Sequence, residues 1–363
     1  MPFNIYDFSV TTKAVDEYFK AHMSPTWAFV MELLIVGLVF LIVYAIIGLY
    51  LVLAERKVCA IMQNRYGPNR VGKWGLVQTI ADLIKLLMKE LIPVRKSDKF
   101  LFNVAPYIVI IASFMAIAAI PFAKGLQGVD FNIGVFYMMA VSSIGVIGTL
   151  LAGWSSNSKY SLIGAMRSGA QVVSYELSVG LALLAVVIFS GSMQLSTIIE
   201  SQANGWWIFK GHLPAIIAFV MFLIASTAEI NRGPFDLAEA ESELTAGFHT
   251  EYSGIKFAFF FLAEYMNMFI VASLAATVFL GGWMPLHIGS LESFNRIMDF
   301  VPPIFWFFGK TIFVIYLIMW FKWTFPRLRI DQLLTLEWKY LLPINLLNIL
   351  LIAFLVLMGW YFK

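Results

Sequence analysis

The sequence predicts an all-α, polytopic membrane protein with eight transmembrane helices and an amphipathic helix in the first cytoplasmic loop. Of its 363 residues, 60% are hydrophobic and only 13% are charged, and the mean hydropathy is +0.82. Apolar runs of about 20 residues recur along the chain, the length that a helix needs to cross a hydrocarbon layer of about 30 Å. The net charge of +3 is too small to indicate a nucleic acid partner.

Eight apolar segments follow residues 1–26, which are mixed, polar and unlike a signal peptide. Backbone groups in lipid must hydrogen-bond within their own segment, so each apolar segment is expected to be a helix. Residues 1–26 are interpreted as an amino-terminal extension, with 12–22 on the membrane surface, and residues 27–363 as a single transmembrane domain. The spans are expected at about residues 28–53, 100–122, 132–154, 168–190, 212–229, 257–281, 302–323 and 341–362.

Lysine and arginine indicate how the chain is oriented. The loops at 54–99, 155–167, 230–256 and 322–340 carry 18 of the 25 basic residues, whereas the termini and the other loops carry six. Basic loops face the cytoplasm or the matrix. Because the number of spans is even, both termini are expected on the opposite side.

The first basic loop contains an amphipathic stretch at residues 76–92. Helical spacing places Gln78, Asp82, Lys85 and Lys89 on one face and apolar side chains on the other. A charged amphipathic helix of this kind lies in the membrane interface and does not cross the membrane.

Residues 229–251 hold six of the 22 acidic residues and a single Lys or Arg, Arg232. Carboxylates packed this densely repel one another, which is expected to raise the pKa of some of these loop acids toward neutrality, where they can exchange protons. The alternative is a solvated helix start capped by Asp236 with Glu239 at its third position, and the two interpretations are compatible. The acids are Glu229, Asp236, Glu239, Glu241, Glu243 and Glu251.

Ionisable side chains inside apolar spans are costly and therefore are functional candidates. Glu32 lies near the end of its span and is interpreted as interfacial. Glu176 and Glu264 are candidates for proton transfer, with a structural hydrogen bond as the alternative. Lys310 is either part of the same path or a structural counter-ion to one of these glutamates. A polar stripe beside Glu176 serves either as helix–helix contact or as a wet path, and consists of Arg167, Gln171, Ser174, Tyr175 and Ser178.

The residues alone leave two functional classes open: an energy-coupling subunit of a larger complex, and a stand-alone proton-coupled carrier. The chain has one cysteine, Cys59, and four scattered histidines, so we expect no metal or iron–sulfur site. No glycine-rich nucleotide loop follows a strand pattern. Any redox cofactor is expected in a partner. There is no pair of matching broken helices, which argues against a secondary transporter.

Several motifs, in order along residues 54–340, resemble one family: the membrane-embedded H subunit of respiratory complex I, the proton-pumping NADH:quinone oxidoreductase. A related subunit of a membrane-bound hydrogenase or formate-oxidising complex is the alternative from the same ancestry. The matching segments are Ala54-Glu-Arg-Lys57, Gln63-Asn-Arg-Tyr-Gly-Pro-Asn-Arg-Val-Gly72, Ala81-Asp-Leu-Ile-Lys85, Trp154 through Glu176, Ala228 through Gly254, and Pro326-Arg-Leu-Arg-Ile-Asp331.

The resemblance implies a protein of the bacterial inner membrane with both termini in the periplasm, and the mitochondrial inner membrane is the alternative. Its cytoplasmic loops would close a quinone cavity together with iron–sulfur-arm subunits, with small membrane subunits and lipid as further neighbours. Quinone would be a substrate shared with those partners, and this chain alone would bind no cofactor. The resemblance assigns to the quinone cavity Glu55, Arg56, Arg65, Asp82, Lys85, Arg232 and Phe257. It assigns to the proton path Glu176, Glu229, Asp236, Glu239, Glu241, Glu243, Glu251, Glu264 and Lys310, with Arg167, Gln171 and Tyr175 as a supporting stripe.

Overall fold

A computed structural model describes residues 6–92, 94–238, 241–287 and 291–360, with only the backbone described at 241–242. This part of the chain is helical and contains no β-strand, and eight of its helices are long and apolar enough to cross a membrane. The predicted fold class is therefore confirmed.

The helices are numbered in chain order, and a π-helical turn at Glu337–Leu341 joins the last two into one span. The eight spans are α2, α4, α5, α6, α9, α11, α13 and the joined α14–α15. The bounds are α1 Ser9–His22, α2 Pro25–Met62, α3 Gln78–Met88, α4 Lys99–Ala118, α5 Gly134–Ser155, α6 Lys159–Ser190, α7 Leu195–Glu200, α8 Trp207–Lys210, α9 His212–Glu229, α10 Glu241–Leu244, α11 Gly254–Phe279, α12 Glu292–Asp299, α13 Pro303–Thr324, α14 Ile330–Leu336 and α15 Leu342–Met358.

Three helices extend well past the bounds that the sequence predicted. Helix α2 continues to Met62, α6 begins at Lys159, and the last span begins at Ile330. The apolar pattern stops at charged residues, but a helix continues where its surroundings offer those side chains an ion pair, as for Glu55, or a hydrogen bond, as for Glu337. As a result Glu55 lies on a helix and not in a loop, and Glu337 lies inside a span.

Local signals fix several helix ends. The side chain of Asp98 caps α4 by accepting hydrogen bonds from Phe100 N at 3.1 Å and Leu101 N at 3.3 Å. Gly191 ends α6 in the left-handed conformation, with φ of 69°, which glycine adopts without steric cost.

The amphipathic segment forms α3, which is shorter than the predicted range of 76–92. Its 11 residues span about 16 Å, too little to cross a membrane. Helix α3 packs against α2 and α11, and its residue Thr79 is buried.

The four basic loops meet at one end of the bundle. Asp98 N donates to Ser155 O, Leu328 N donates to Pro234 O, and Ile92 N donates to Ser253 Oγ. This grouping agrees with the predicted topology. Which compartment this end faces stays a prediction.

The first prediction concerns the close approach of α6 to the acidic loop. A Cβ atom at Gly164 would lie 2.8 Å from Gly247 Cα and 2.9 Å from Phe248 N, so Gly164→Ala must displace backbone. Overpacking of this kind costs about 1–3 kcal/mol. We expect the thermal unfolding midpoint of the purified protein to fall. Gly37→Ala in α2 is the matched control, because its Cβ meets nothing within 4 Å. Equal midpoints for the two variants would contradict the packing described.

Candidate functional site

Arg232 is the centre of a buried ion-pair network at the end of the bundle where the basic loops meet. Its side chain is 2% exposed, and its Nη1 lies 2.6 Å from Glu55 Oε2. Its Nε lies 2.9 Å from Glu264 Oε1, and its guanidinium lies 4.3 Å from the ring centroid of Tyr265. Lys322 Nζ lies 2.6 Å from the other carboxylate oxygen of Glu55, Oε1. The network thus joins α2, α11, α13 and the acidic loop.

The backbone after α9 places Arg232 in this position. Arg232 N donates to Thr227 O, and Phe235 N donates to Arg232 O, which folds the chain back over the bundle. Burial by itself lowers the pKa of Arg232, but the adjacent carboxylates of Glu264 and Glu55 raise it above its usual value. The guanidinium is therefore charged at physiological pH.

An apolar groove of about 430 Å³ lies between α2, α3 and α11. Charged side chains form one edge: Arg56 Nη1 lies 2.5 Å from Asp82 Oδ2, and Gln78 Nε2 donates to Asp82 Oδ1 at 3.1 Å. Asp82 thus faces protein, as expected for a charge on an interfacial helix. The groove is lined by Gly48, Val52, Lys85, Phe257, Phe261 and Leu262, among others.

A second, more polar recess of about 820 Å³ adjoins the groove, and Arg56 lines both. Glu55 and Tyr265 form part of its wall, so the buried network borders this recess. Arg65 also lines it and donates from Nε to Gln63 Oε1 at 2.7 Å. The structure therefore brings together all seven residues predicted for one cavity: six line the groove or the recess, and Arg232 lies behind Glu55.

Two smaller cavities lie inside the bundle behind the network, of about 90 Å³ and about 70 Å³. Glu229, Asn231 and Asn267 line both, and Glu264 lines the smaller one. Each cavity is polar in part and exceeds the ~10–15 Å³ that a water molecule needs. Water in them would connect Glu264 to Glu229.

The larger of these cavities leads toward Glu176. Ser142 lines it, and Glu229 lies beside Ser142 and close enough to Glu176 for their charges to interact. Glu176 accepts a hydrogen bond from Ser143 Oγ. The order Glu264, Glu229, Glu176 therefore forms a line of carboxyl groups leading into the bundle from Arg232.

Known proteins share this sequence closely. A family model described as NADH dehydrogenase matches residues 35–353. The H subunit of the NADH-quinone oxidoreductase of Bacteroides fragilis is 59% identical over 358 residues, which cover 99% of this chain and 100% of the relative. The H subunit of the same enzyme from a Geobacillus species is 46% identical over 331 residues, 91% of this chain and 96% of the relative.

The chain belongs to the NADH dehydrogenase family, among the H subunits of respiratory complex I. It is thus a multi-pass component of an oxidoreductase complex in a bacterial inner membrane, and other complex I subunits are its partners. The carrier and hydrogenase alternatives are set aside. The Bacteroides match includes most of the amino-terminal stretch that the sequence motifs did not cover.

The acids of the loop at 229–251 do not form one free cluster. Asp236 Oδ2 pairs with Arg327 Nη2 at 3.0 Å. The predicted cap of Asp236 includes Glu239, which lies outside the described residues, so the cap stays a prediction. Glu243 Oε2 pairs with Arg167 Nη1 at 2.6 Å, and this hydrogen bond lowers the pKa of Glu243. Repulsion among the loop carboxylates was expected to raise such pKa values, so the shift of Glu243 is in the opposite direction. Glu251 is partly buried before α11, Glu239 lies outside the described residues, and only the backbone of Glu241 is described.

His249 borders the smaller interior cavity from the acidic loop. Burial lowers its pKa to about 4, so the imidazole is neutral at physiological pH. No pattern in the sequence singled out this histidine.

Lys310 is not brought to the glutamates. Its Nζ donates to Gly282 O at 2.9 Å and Met284 O at 2.5 Å, and it lies 4.4 Å from the ring centroid of Trp206. On the same helix Lys322 joins the buried network, 12 residues and about 18 Å further along. Lys310 thus binds backbone carbonyls at the other end of the bundle and is not a counter-ion to Glu176 or Glu264.

The supporting stripe makes contacts between helices. Gln171 Nε2 donates to Ala228 O and Phe235 O, both at 2.7 Å, and Tyr175 OH donates to Leu333 O at 2.9 Å. These contacts fit the helix–helix alternative, because they fix α6 to α9 and α14 and do not lead to Glu176.

Sequence reasoning missed Lys322 and Glu337. In the sequence, Lys322 looks like a basic residue that holds the end of an apolar span at the membrane interface. In the structure it binds Glu55. Glu337 was placed in a loop, although it is fully buried and accepts a hydrogen bond from Ser178. The apolar run Leu333-Leu-Thr-Leu336 before Glu337 was a usable signal for a helix already inside the membrane.

The second prediction is that Arg232→Met destabilises the assembled complex strongly. Removing one partner of a buried pair leaves an uncompensated charge and costs about 3–5 kcal/mol. Lys20→Met is the control, because Lys20 pairs with Asp16 on the surface of α1, where an ion pair contributes little. Native gels report assembly, and thermal inactivation reports stability. Similar small losses for both variants would show that the buried network does not hold the helices together.

Proposed function

We propose that this chain forms the membrane side of the quinone cavity and couples quinone reduction to proton transfer through a line of carboxyl groups. The cavity is proposed to be completed by iron–sulfur-arm subunits, with small membrane subunits receiving the protons. This chain would hold no cofactor of its own. The end of the bundle with the basic loops would face the cytoplasm, leaving both termini in the periplasm.

The groove and the recess have the chemistry that a quinone requires. Ligand sites commonly have volumes of about 300–1,000 Å³, apolar walls and few polar groups. The groove between α2, α3 and α11 offers apolar walls for the tail, and Arg56 at its junction with the recess can donate to a headgroup carbonyl. Lys85 and Asp82 lie beside this entrance. The partner subunits would close the recess over the headgroup.

The proposal rests on one observation: Arg232 binds Glu55, which borders the recess, and Glu264, which borders the interior cavities. A quinone that accepts two electrons develops negative charge before it takes up two protons. Negative charge in the recess would therefore draw Arg232 toward the recess and weaken its pairing with Glu264.

Loss of that pairing would make Glu264 a better proton acceptor. A proton taken up there can pass through the water-sized cavities to Glu229 and Glu176, and then to a partner subunit. The loop acids Asp236, Glu239, Glu241, Glu243 and Glu251 are proposed as the aqueous end of this path. Lys310 is left out of it because of its position at the other end of the bundle.

The third prediction is that Arg56→Ala weakens quinone binding. Loss of a charged hydrogen-bond donor costs about 1.5–3 kcal/mol, so the KM for quinone should rise by about tenfold or more. Lys73→Ala is the control, because Lys73 is an exposed cation between α2 and α3 that lines neither the groove nor the recess. The KM for quinone is measured in the assembled complexes of both variants, and only Arg56→Ala is expected to raise it. An unchanged KM in Arg56→Ala would remove Arg56 from the quinone site.

The fourth prediction distinguishes a proton-transfer role of Glu176 from a structural one. Glu176→Gln can still accept from Ser143 but cannot titrate, so coupled quinone reductase activity should fall to about a tenth or less. Glu176→Asp keeps the titratable group and should retain more activity. A structural glutamate would give the reverse order, because Asp is one methylene shorter. NADH:quinone turnover and proton translocation in vesicles are measured, and normal pumping by Glu176→Gln would exclude Glu176 from the path.

A further inference from the structure

A second set of buried polar side chains lies on another face of α6. Gln171, Tyr175 and Ser178 recur at helical spacing, and Glu176 projects about 140° around the axis from Gln171. Polar side chains of the last span complete the set. We call these six residues the buried polar seam, and none is more than 6% exposed. They are Gln171, Tyr175, Ser178, Glu337, Asn345 and Asn348.

The buried polar seam runs along most of α9. At one end Gln171 Nε2 donates to Ala228 O, and at the other Asn348 Nδ2 donates to Pro214 O at 3.0 Å. Ala228 and Pro214 are 14 residues apart on α9, or about 21 Å. The seam therefore covers about two thirds of a hydrocarbon layer of about 30 Å.

Glu337 is the ionisable group in the middle of the seam. Its Oε1 accepts from Ser178 Oγ at 2.5 Å, and Asn345 Nδ2 donates to Ser178 O at 3.4 Å. Its Oε2 is buried and has no hydrogen-bond partner among the described residues. Among the residues that the structure describes, no Lys, Arg or His side chain lies within ion-pair distance of Glu337. Glu337 is the first residue of the π-helical turn, and such turns are frequent at functional sites.

The chemistry of this position favours a carboxylic acid over a carboxylate. Burying an ionised carboxylate without a cation costs several kcal/mol, and a single hydroxyl donor does not offset that cost. A proton on Oε2 gives the unpartnered oxygen a hydrogen that it can donate. Two further acceptors on the seam, Gln171 Oε1 and Asn348 Oδ1, are also buried and unpartnered in the described structure. These unpartnered oxygens are the positions at which a water molecule would complete the hydrogen bonding of the seam.

We propose that Glu337 is a second proton-binding site of this protein, in a polar seam between α6, α9 and the last span, separate from the line through Glu264, Glu229 and Glu176. Breaking of the O–H bond at Oε2 passes the proton to a water molecule in the seam. The resulting carboxylate keeps its hydrogen bond from Ser178. The site does not depend on where the quinone binds, so it stands or falls separately from the proposed function.

The alternative is that the seam only holds helices together by hydrogen bonds. Infrared absorption of the purified complex distinguishes the two, because a protonated carboxylic acid has a carbonyl-stretching band that a carboxylate and an amide lack. We expect one such band to be lost in Glu337→Gln, to move in Ser178→Ala, and to shift on transfer to D₂O. Glu200→Gln, at an exposed glutamate of α7, is the matched control and should leave the band unchanged.

Glu337→Gln preserves the shape of the side chain and its ability to accept from Ser178, so the complex is expected to assemble. An assembled Glu337→Gln complex with an unchanged carboxylic acid spectrum would overturn the proposal. A band that does not respond to D₂O would also overturn it, because water would then not reach the site. If Glu337→Gln does not assemble, the band in Ser178→Ala decides: a shifted band supports the proposal and an unshifted one overturns it. Glu176→Gln, measured in parallel for pumping, reports on the proposed function alone.

Discussion

The buried guanidinium of Arg232 is the interaction on which the arrangement of this end of the bundle depends. A cation at 2% exposure requires partners of opposite charge, and Glu55 and Glu264 supply them from two different helices. Lys322 then balances the second carboxylate oxygen of Glu55. Two cations and two carboxylates give a neutral group, which is the only form that a low-dielectric interior tolerates at moderate cost. Removing any one member leaves a charge without compensation.

Neutrality also makes the network sensitive to an additional charge nearby. The polar recess lies on one side of it and the water-sized cavities lie on the other, and Glu55, Arg232 and Glu264 bridge the two. In the proposed function, negative charge in the recess would act on Arg232 behind Glu55, and Arg232 is itself paired with Glu264. The proposed first step of coupling would therefore need no large movement of helices, because the guanidinium of Arg232 would only shift from Glu264 toward Glu55.

The transmembrane spans could be predicted from the sequence, but the ion-pair partners of the charged residues could not. Apolar length predicts a crossing helix because lipid offers no hydrogen bonds to a backbone, and that constraint is local. Pairing is not local: Arg232 and Glu55 are 177 residues apart, and Lys322 and Glu55 are 267 apart. Span prediction stopped at charged residues because it had no knowledge of these partners. The same limitation placed Lys310 among the glutamates, whereas backbone carbonyls at the other end of α13 bind it.

Helix α6 shows why a polar stripe in a sequence does not by itself define one path. On one side of the helix Glu176 accepts a hydrogen bond from Ser143 and lies close enough to Glu229 for their charges to interact. Ser178, two residues later, donates to Glu337 on another side. Successive residues in a helix point about 100° apart, so neighbouring polar positions can serve separate environments. The separation has a physical consequence. In the proposed scheme, a proton at Glu176 and a proton at Glu337 would lie beside different faces of α6, so the two sites would hold protons independently of each other.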